Sequence, residues 1–439
     1  MKFQRFSEAE NHIYSLIKNK IDTGYRAGFA LERVKYALSL LDNPQEKVKT
    51  IHIAGTSGKG STAKFIHDIL LGHGFNTGLT ISPHLVDIRE RIQLNGQLIT
   101  KQDFTSVLND IYPWLIELEE THFGKLTYFE VLIVMAYCYF YKMGVDYAVV
   151  ETGLGGLYDA TNSISNKSKY NVITRIGFDH MHLLGNTLEE IALNKAGIIN
   201  RLQAAITVNS DMPIKRVLKG RAQEMNSKIK FIGEDDYLSI PGIRKYVDHL
   251  PEYQRENLSL ALQCCREISI RDNWKLNIDI VKKVIGSYKF EGRFEHIKYK
   301  GADFLLDGAH NPQKMAAFIE SLWKKYERKD FTFILAFKED KDISSMIKQI
   351  SKYTNQLIVT QFTTTSQDFN HKSFNSSELS ELITKISGKT ACVFSKPIEA
   401  INHAIEATKD YPIVVTGSLY LVGEVRQIVS SSKPQQYRK

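Results

Sequence analysis

Cysteine is scarce in this chain of 439 residues, and no apolar run is long enough to cross a bilayer. The four cysteines, Cys138, Cys264, Cys265 and Cys392, show no Cys-x-x-Cys spacing, and adjacent Cys264 and Cys265 do not readily bridge each other. That argues against a disulfide framework and for reduced, buried thiols in a cytoplasmic protein. The longest apolar run, Val131 to Tyr141, ends at Lys142 and Gly144, short of the roughly 20 residues a membrane span needs. It reads as a buried helix. Met1 to Ser15 carry charges and no apolar stretch, so no signal peptide is expected. Internal repeats, low-complexity segments and long basic tails are also absent. The net charge of +8 is spread along the chain. Such a balance suits phosphates, polycarboxylates or nucleic acid, or is an ordinary solvated surface.

What is present is 43% hydrophobic residues, enough for two or three domains with proper cores. Short β-rich runs alternate with helical patterns. Candidate strands are Thr50–Ala54, Thr77–Ile81, Tyr147–Glu151, Asn171–Ile176, Ala204–Val208 and Ile229–Ile232, with amphipathic stretches such as Phe104–Leu118 and Leu188–Ile199 between them. A second series follows at Phe304–Leu306, Phe331–Phe337, Leu357–Thr360, Ala391–Phe394 and Ile413–Thr416. The alternation predicts an α/β fold built of parallel βαβ units. The boundary is expected near Gly286–His296, giving a domain over 1–291, a linker over 292–297, a smaller domain over 298–430 and a disordered tail over 431–439.

One run stands out: Gly55-Thr56-Ser57-Gly58-Lys59-Gly60-Ser61-Thr62, after a strand and before a helix. Glycines let backbone N–H groups approach phosphate oxygens, and the helix N-terminus adds positive potential. Lys59 would reach the terminal phosphates, and Ser61 or Thr62 could touch Mg²⁺. The run departs from the standard phosphate loop, with Ile53 where a glycine belongs and Gly60 directly after the lysine.

Further candidates sit at strand ends, where ligands of open α/β sheets bind. Glu151 ends one strand and suits a hard-oxygen Mg²⁺ ligand or a helix-capping acid. Ser82-Pro83-His84-Leu85 follows another strand, with Ser82 an available oxygen ligand. Gly177-Phe178-Asp179-His180 offers His180 as a metal ligand or a salt-bridged structural residue. Lys195 lies in a strongly apolar helix, where a buried lysine is costly unless paired or neutralised. Asp307-Gly308-Ala309-His310-Asn311-Pro312 closes the first strand of the second series. Arg293, in the boundary segment, can reach a phosphate or pair with Glu295.

Taken together these motifs resemble the folylpolyglutamate synthase and dihydrofolate synthase family of Mur-type ATP-dependent ligases. The likeness runs from Ile51-His52-Ile53-Ala54-Gly55-Thr56 through Ser82-Pro83-His84-Leu85, Glu90-Arg91-Ile92, Asp159-Ala160-Thr161-Asn162, Phe178-Asp179-His180-Met181, Lys195-Ala196-Gly197-Ile198, Glu256-Asn257, Gly292-Arg293 and Asp307–Pro312 to Thr416-Gly417-Ser418-Leu419-Tyr420. Gly60 after Lys59 separates this family from the cell-wall Mur ligases, which carry Gly-Lys-Thr-Thr. Two departures stand out: Leu157-Tyr158 replaces the usual Arg-Leu, and Ser57 stands where asparagine is commoner.

The resemblance implies an N-terminal P-loop-type ATPase domain with a mostly parallel sheet and a smaller Rossmann-like α/β domain. It implies ATP held by Gly55, Thr56, Gly58, Lys59, Gly60, Ser61, Thr62, Asn257, Arg293 and Asp307. Two Mg²⁺ ions would be held by Ser61, Ser82, Glu151, His180 and an N6-carboxylated Lys195. Substrate contacts are expected from Ser82, His84, Asp159, Thr161, His310 and Ser418. Chemistry is expected from Lys59, Lys195, His180, Asp307 and His310. The implied activity is addition of L-glutamate to dihydropteroate or to a folate γ-glutamyl tail, by a cytoplasmic monomer without nucleic-acid or membrane partners. A synthase limited to polyglutamylation and, more remotely, a P-loop ATPase or switch are the competing readings.

Overall fold

The computed structural model describes residues 2–17, 29–233, 235–363, 372–408 and 411–430. The tail expected to be disordered, 431–439, lies outside them. The chain forms two units. One comprises the described residues up to Leu250 together with Gln254–Tyr288, and the other Pro251–Tyr253 with the described residues from Lys289 onward.

The first unit is built on strands β1 (Lys49–Ala54), β2 (Thr77–Thr80), β3 (Gln93–Leu94), β4 (Gln97–Leu98), β5 (Tyr147–Glu151), β6 (Tyr170–Ile173), β7 (Ala204–Val208) and β8 (Ile229–Ile232). Their spatial order is β4-β3-β2-β5-β1-β6-β7-β8. From β2 to β8 neighbours pair in parallel, and β3 and β4 add an antiparallel edge. The strand β5 is buried at every position, as expected of a parallel strand covered by helices on both faces. The apolar helix Tyr128–Lys142 supplies much of that cover, and Thr127 caps it with Glu130 in a capping box.

The second unit carries β9 (Glu295–Tyr299), β10 (Ala302–Leu306), β11 (Phe331–Leu335), β12 (Thr354–Val359), β13 (Ala391–Val393) and β14 (Ile413–Thr416), ordered β13-β12-β11-β14-β10-β9. All neighbours are parallel except β9 and β10. Residues 295–297, expected within a linker, therefore begin an edge strand. Its polar sequence Glu-His-Ile-Lys-Tyr hid it, as did the two-residue length of β3 and β4. The strand β6 stops at Ile173 rather than Ile176, because the chain leaves the sheet there. Thr174 N still bonds Ala54 O at 2.8 Å, but the Arg175 carbonyl turns to the loop after β1.

All four cysteines are free. Cys264 and Cys265 are buried, whereas Cys138 and Cys392 are half-buried rather than fully enclosed. Among the described residues no helix is long and apolar enough to cross a membrane.

Candidate active site

In the first unit the carboxyl ends of β2, β5, β1 and β6 lie side by side, about 4.8 Å from strand to strand. The pairing of Ile53 with both Glu151 and Val172 sets their tips level. The loop after β1 runs through Gly55 and Gly58 into the helix Lys59–Gly72. Gly58 has φ +90°, and a Cβ there would stand 2.0 Å from Asn257 Oδ1; a Cβ on Gly55 would stand 1.8 Å from Thr174 Oγ1. These two positions need glycine. No side chain caps the helix that follows, so its first amides are directed at the loop, the arrangement that receives an anion.

Several of the residues expected at this loop have defined partners within the first unit. Lys59 Nζ lies 3.8 Å from Glu151 Oε1, and the other oxygen of that buried carboxylate accepts from Ser82 N at 3.0 Å. Lys195 is 4% exposed, and its Nζ donates to the Gly55 carbonyl at 2.9 Å. Ser61 Oγ accepts from Gln254 Nε2 at 3.0 Å, and Asn257 donates to Gln254 Oε1 at 3.3 Å. His180 takes a left-handed φ of 49° and sits with Nε2 3.7 Å from Asp179 Oδ1, partly exposed.

Other expected contacts are directed into the fold. Thr56 Oγ1 donates to Gly177 O at 2.9 Å and accepts from Gly177 N at 3.0 Å, tying the phosphate loop to the chain after β6. Thr62 is fully buried. His84 is buried and accepts from Arg91 Nε at 2.9 Å on Nδ1; burial and that guanidinium hold the ring well below its usual pKa, hence neutral. Asp159 and Thr161 are buried and bonded to each other.

In the second unit Asp307 follows β10 and Ser418 follows its neighbour β14. Asp307 Oδ2 accepts from Tyr253 OH at 2.7 Å and Phe294 N at 2.9 Å, and Oδ1 accepts from Ala309 N at 3.0 Å. Burial pushes this carboxyl above the usual range, partly offset by Arg293. A Cβ on Gly308 would stand 2.1 Å from Leu419 Cδ2 and 2.7 Å from Arg293 NH1. The local pairing of Arg293 with Glu295 is not made; Glu295 is bonded by Arg426 at 3.1 Å and by Gly292 N at 2.8 Å. His310 Nδ1–H donates to Gly308 O at 2.7 Å, leaving Nε2 to accept from Lys314 Nζ at 3.0 Å. Ser418 Oγ accepts from Tyr420 N at 3.2 Å, at the start of the helix Leu419–Ser430.

Sequence reasoning passed over Gln254, Tyr253 and Lys314. Gln254 lies one turn before Asn257, and Lys314 one turn after His310. Helical spacing from a known motif was the available signal.

Comparison with known proteins agrees with this geometry. Residues 53–247 match the family described as Mur ligase middle domain, and residues 291–428 the one described as dihydrofolate synthetase, C-terminal domain. A nucleotide-type phosphate loop in a parallel sheet with a second α/β unit thus defines the class of Mur-type ATP-dependent ligases. Within that class the chain belongs to the dihydrofolate synthase/folylpolyglutamate synthase family. The dihydrofolate synthase/folylpolyglutamate synthase of Bacillus subtilis is 26% identical over 97% of this chain and 99% of its own length. The dihydrofolate synthetase of Saccharomyces cerevisiae is 29% identical over 91% of this chain and 98% of its own. Folylpolyglutamate synthase of Mycobacterium tuberculosis, solved with ADP and AMPPCP, superposes with a TM-score of 0.83 at 25% identity, covering 98% of this chain and 100% of that one.

Proposed function

We propose that this chain joins L-glutamate to the carboxylate of dihydropteroate and to the γ-carboxylate of folate glutamyl tails, at the expense of ATP. The observation that carries the proposal is the convergence of the glycine loop, Lys59, Glu151, Ser82 and Lys195 at four adjacent strand ends. The match of residues 291–428 to a dihydrofolate synthetase domain supports the dihydropteroate half, and the Bacillus subtilis relative carries both activities in its name.

Oxide cannot leave from a carboxylate, so the acid is first activated. The γ-phosphoryl group passes to a carboxylate oxygen, ADP departs, and the glutamate amine adds to the acyl carbon. The tetrahedral adduct expels phosphate and loses a proton. Loop amides and Lys59 hold the phosphates and offset their repulsion for an anionic acid. Lys314, whose Nζ donates to His310 Nε2, gives the second unit a cation suited to a carboxylate of the incoming amino acid.

The residues also fit Mg²⁺. Glu151 is a buried hard-oxygen donor beside the phosphate loop, with the Ser82 and Ser61 hydroxyls as further oxygen donors. Bound there, magnesium supplies charge neutralisation for the transferring phosphoryl group. His180 is the candidate for a second ion, with Lys195 as an N6-carboxylate. A carbamate keeps one N–H on Nζ, so the bond to Gly55 survives the modification. Cytoplasmic location and a monomeric state complete the reading.

Phosphate release measured with each acceptor, with and without L-glutamate, tests it. Release that depends on both acceptor and glutamate is expected with dihydropteroate and with a reduced folate. Activity with the folate alone would leave a polyglutamylating enzyme, and glutamate-independent release would overturn the assignment.

A further inference from the structure

Behind the strand tips lies a buried chain of hydrogen-bonded side chains. His52, in the middle of β1, is fully buried and has Nε2 2.8 Å from Thr161 Oγ1. Thr161 Oγ1 lies 2.5 Å from Asp159 Oδ1, an oxygen that also accepts from Thr161 N at 3.0 Å. Asp159 Oδ2 accepts from Leu154 N at 2.7 Å. Burial pushes the Asp159 carboxyl above its usual range, partly offset by the Leu154, Thr161 and Gly153 amides that hold its charge; as a carboxylate it accepts from the Thr161 hydroxyl, which must then accept from His52. His52 is thereby fixed as the Nε2–H tautomer. Its Nδ1 is buried with no partner among the described residues.

The far end of this chain is the turn that links Glu151 to the Lys195 helix. Leu157 N bonds Asn194 O at 2.9 Å. Asn162 Nδ2 donates to Leu157 O at 3.2 Å and to Gly197 O at 3.0 Å. Asn162 Oδ1 in turn accepts from the buried Lys169 at 3.0 Å. Side chains from Asp159 to Asn162 thus grip the turn at Leu154 and Leu157 and the helix end at Gly197. The packing leaves no slack: a Cβ on Gly156 would stand 2.9 Å from Lys195 O, and one on Gly197 2.3 Å from Leu157 Cβ.

We propose that His52, Thr161 and Asp159 are positioning residues, a hydrogen-bond relay that sets the 152–157 turn and so the placement of Glu151 against Lys195. This replaces the expected substrate contact by Asp159 and Thr161, which are 5% and 0% exposed. It rests on the ligase reading for its kinetic consequence, and on geometry alone for its structural one.

The test compares Thr161→Val, which keeps the shape and deletes the hydroxyl, with Thr161→Ser, which restores it. Amide hydrogen exchange over residues 152–157 is read first, because it needs no activity. Exchange at least tenfold faster in Thr161→Val and near the parent rate in Thr161→Ser is expected; unchanged exchange in Thr161→Val overturns the relay. Steady-state kinetics follow with the acceptor that the parent enzyme uses. Thr161→Val is expected to lose 10-fold or more in kcat with the acceptor KM within about twofold, and Thr161→Ser to recover most of it. A raised acceptor KM at unchanged kcat would restore the substrate-contact role. A parent enzyme that needs no glutamate would sink the ligase reading while the exchange result still decides the relay.

Discussion

Lys59 and Glu151 are opposite charges 3.8 Å apart at the mouth of the phosphate loop, both largely shielded from water. The contact is too long for a tight ion pair, which leaves the lysine able to turn to a phosphate and the carboxylate to a cation. Lys59→Ala and Glu151→Ala are each expected to lower turnover about 100-fold or more, the scale of deleting a transition-state charge contact. The melting temperature should stay within a few degrees of the parent. Glutamate-dependent phosphate release near the parent rate in either variant would contradict these roles. Asp307 differs in kind, since its carboxylate is already bonded by Tyr253, Phe294 N and Ala309 N. Tyr253→Phe removes one donor without changing shape. A buried carboxylate short of a donor costs roughly 1–3 kcal/mol, and urea unfolding of the second unit's transition measures it.

At the scale of elements, the strand–glycine–helix passage from β1 to the helix Lys59–Gly72 was legible because its signals are local: an apolar run, glycines, then helical periodicity. The closeness of Gly58 to Asn257 was not, since the two lie far apart in sequence and meet only through packing. Gly58→Ala places a Cβ 2.0 Å from Asn257 Oδ1 at a φ of +90°. The backbone strain alone is about 1–2 kcal/mol, and the shifted loop should weaken ADP binding at least tenfold. ADP-dependent thermal shift reads both. The Asp159–Asn162 segment was legible as a motif but not as a device. Asp159 and Thr161 were expected to contact substrate; in the fold they are buried, Asp159 accepts from Leu154 N, and Asn162 donates to Gly197 O.

At the scale of the molecule, burial makes stability depend on pH. His52 is held neutral by burial, reinforced by the nearby Lys169 cation, and its pKa lies well below the ordinary 6.5. Below that value the unfolded chain takes up a proton that the folded one refuses. Stability from this group is therefore complete above about pH 6.5 and declines as pH falls, by at most about 1.4 kcal/mol per pH unit. His52→Gln keeps an N–H for Thr161 and removes the titration. Denaturant midpoints between pH 7 and pH 5 should fall more steeply for the parent than for His52→Gln; parallel slopes would show that the ring takes up its proton without unfolding.

The sequence by itself determined the alternation that makes two parallel sheets and the glycine–lysine loop after β1. It also placed Glu151, Ser82 and Asp307 at strand ends, because each depends on residues within a few positions of one another. Tertiary structure decided which polar side chains serve the loop and which serve the fold. Thr56 turned to Gly177, His84 to Arg91, Ser418 to its own helix, and Thr161 to His52 and Asp159. A polar side chain announces a hydrogen bond, but its partner is fixed by burial: once water is excluded, most donors and acceptors bond the neighbour that the packing supplies.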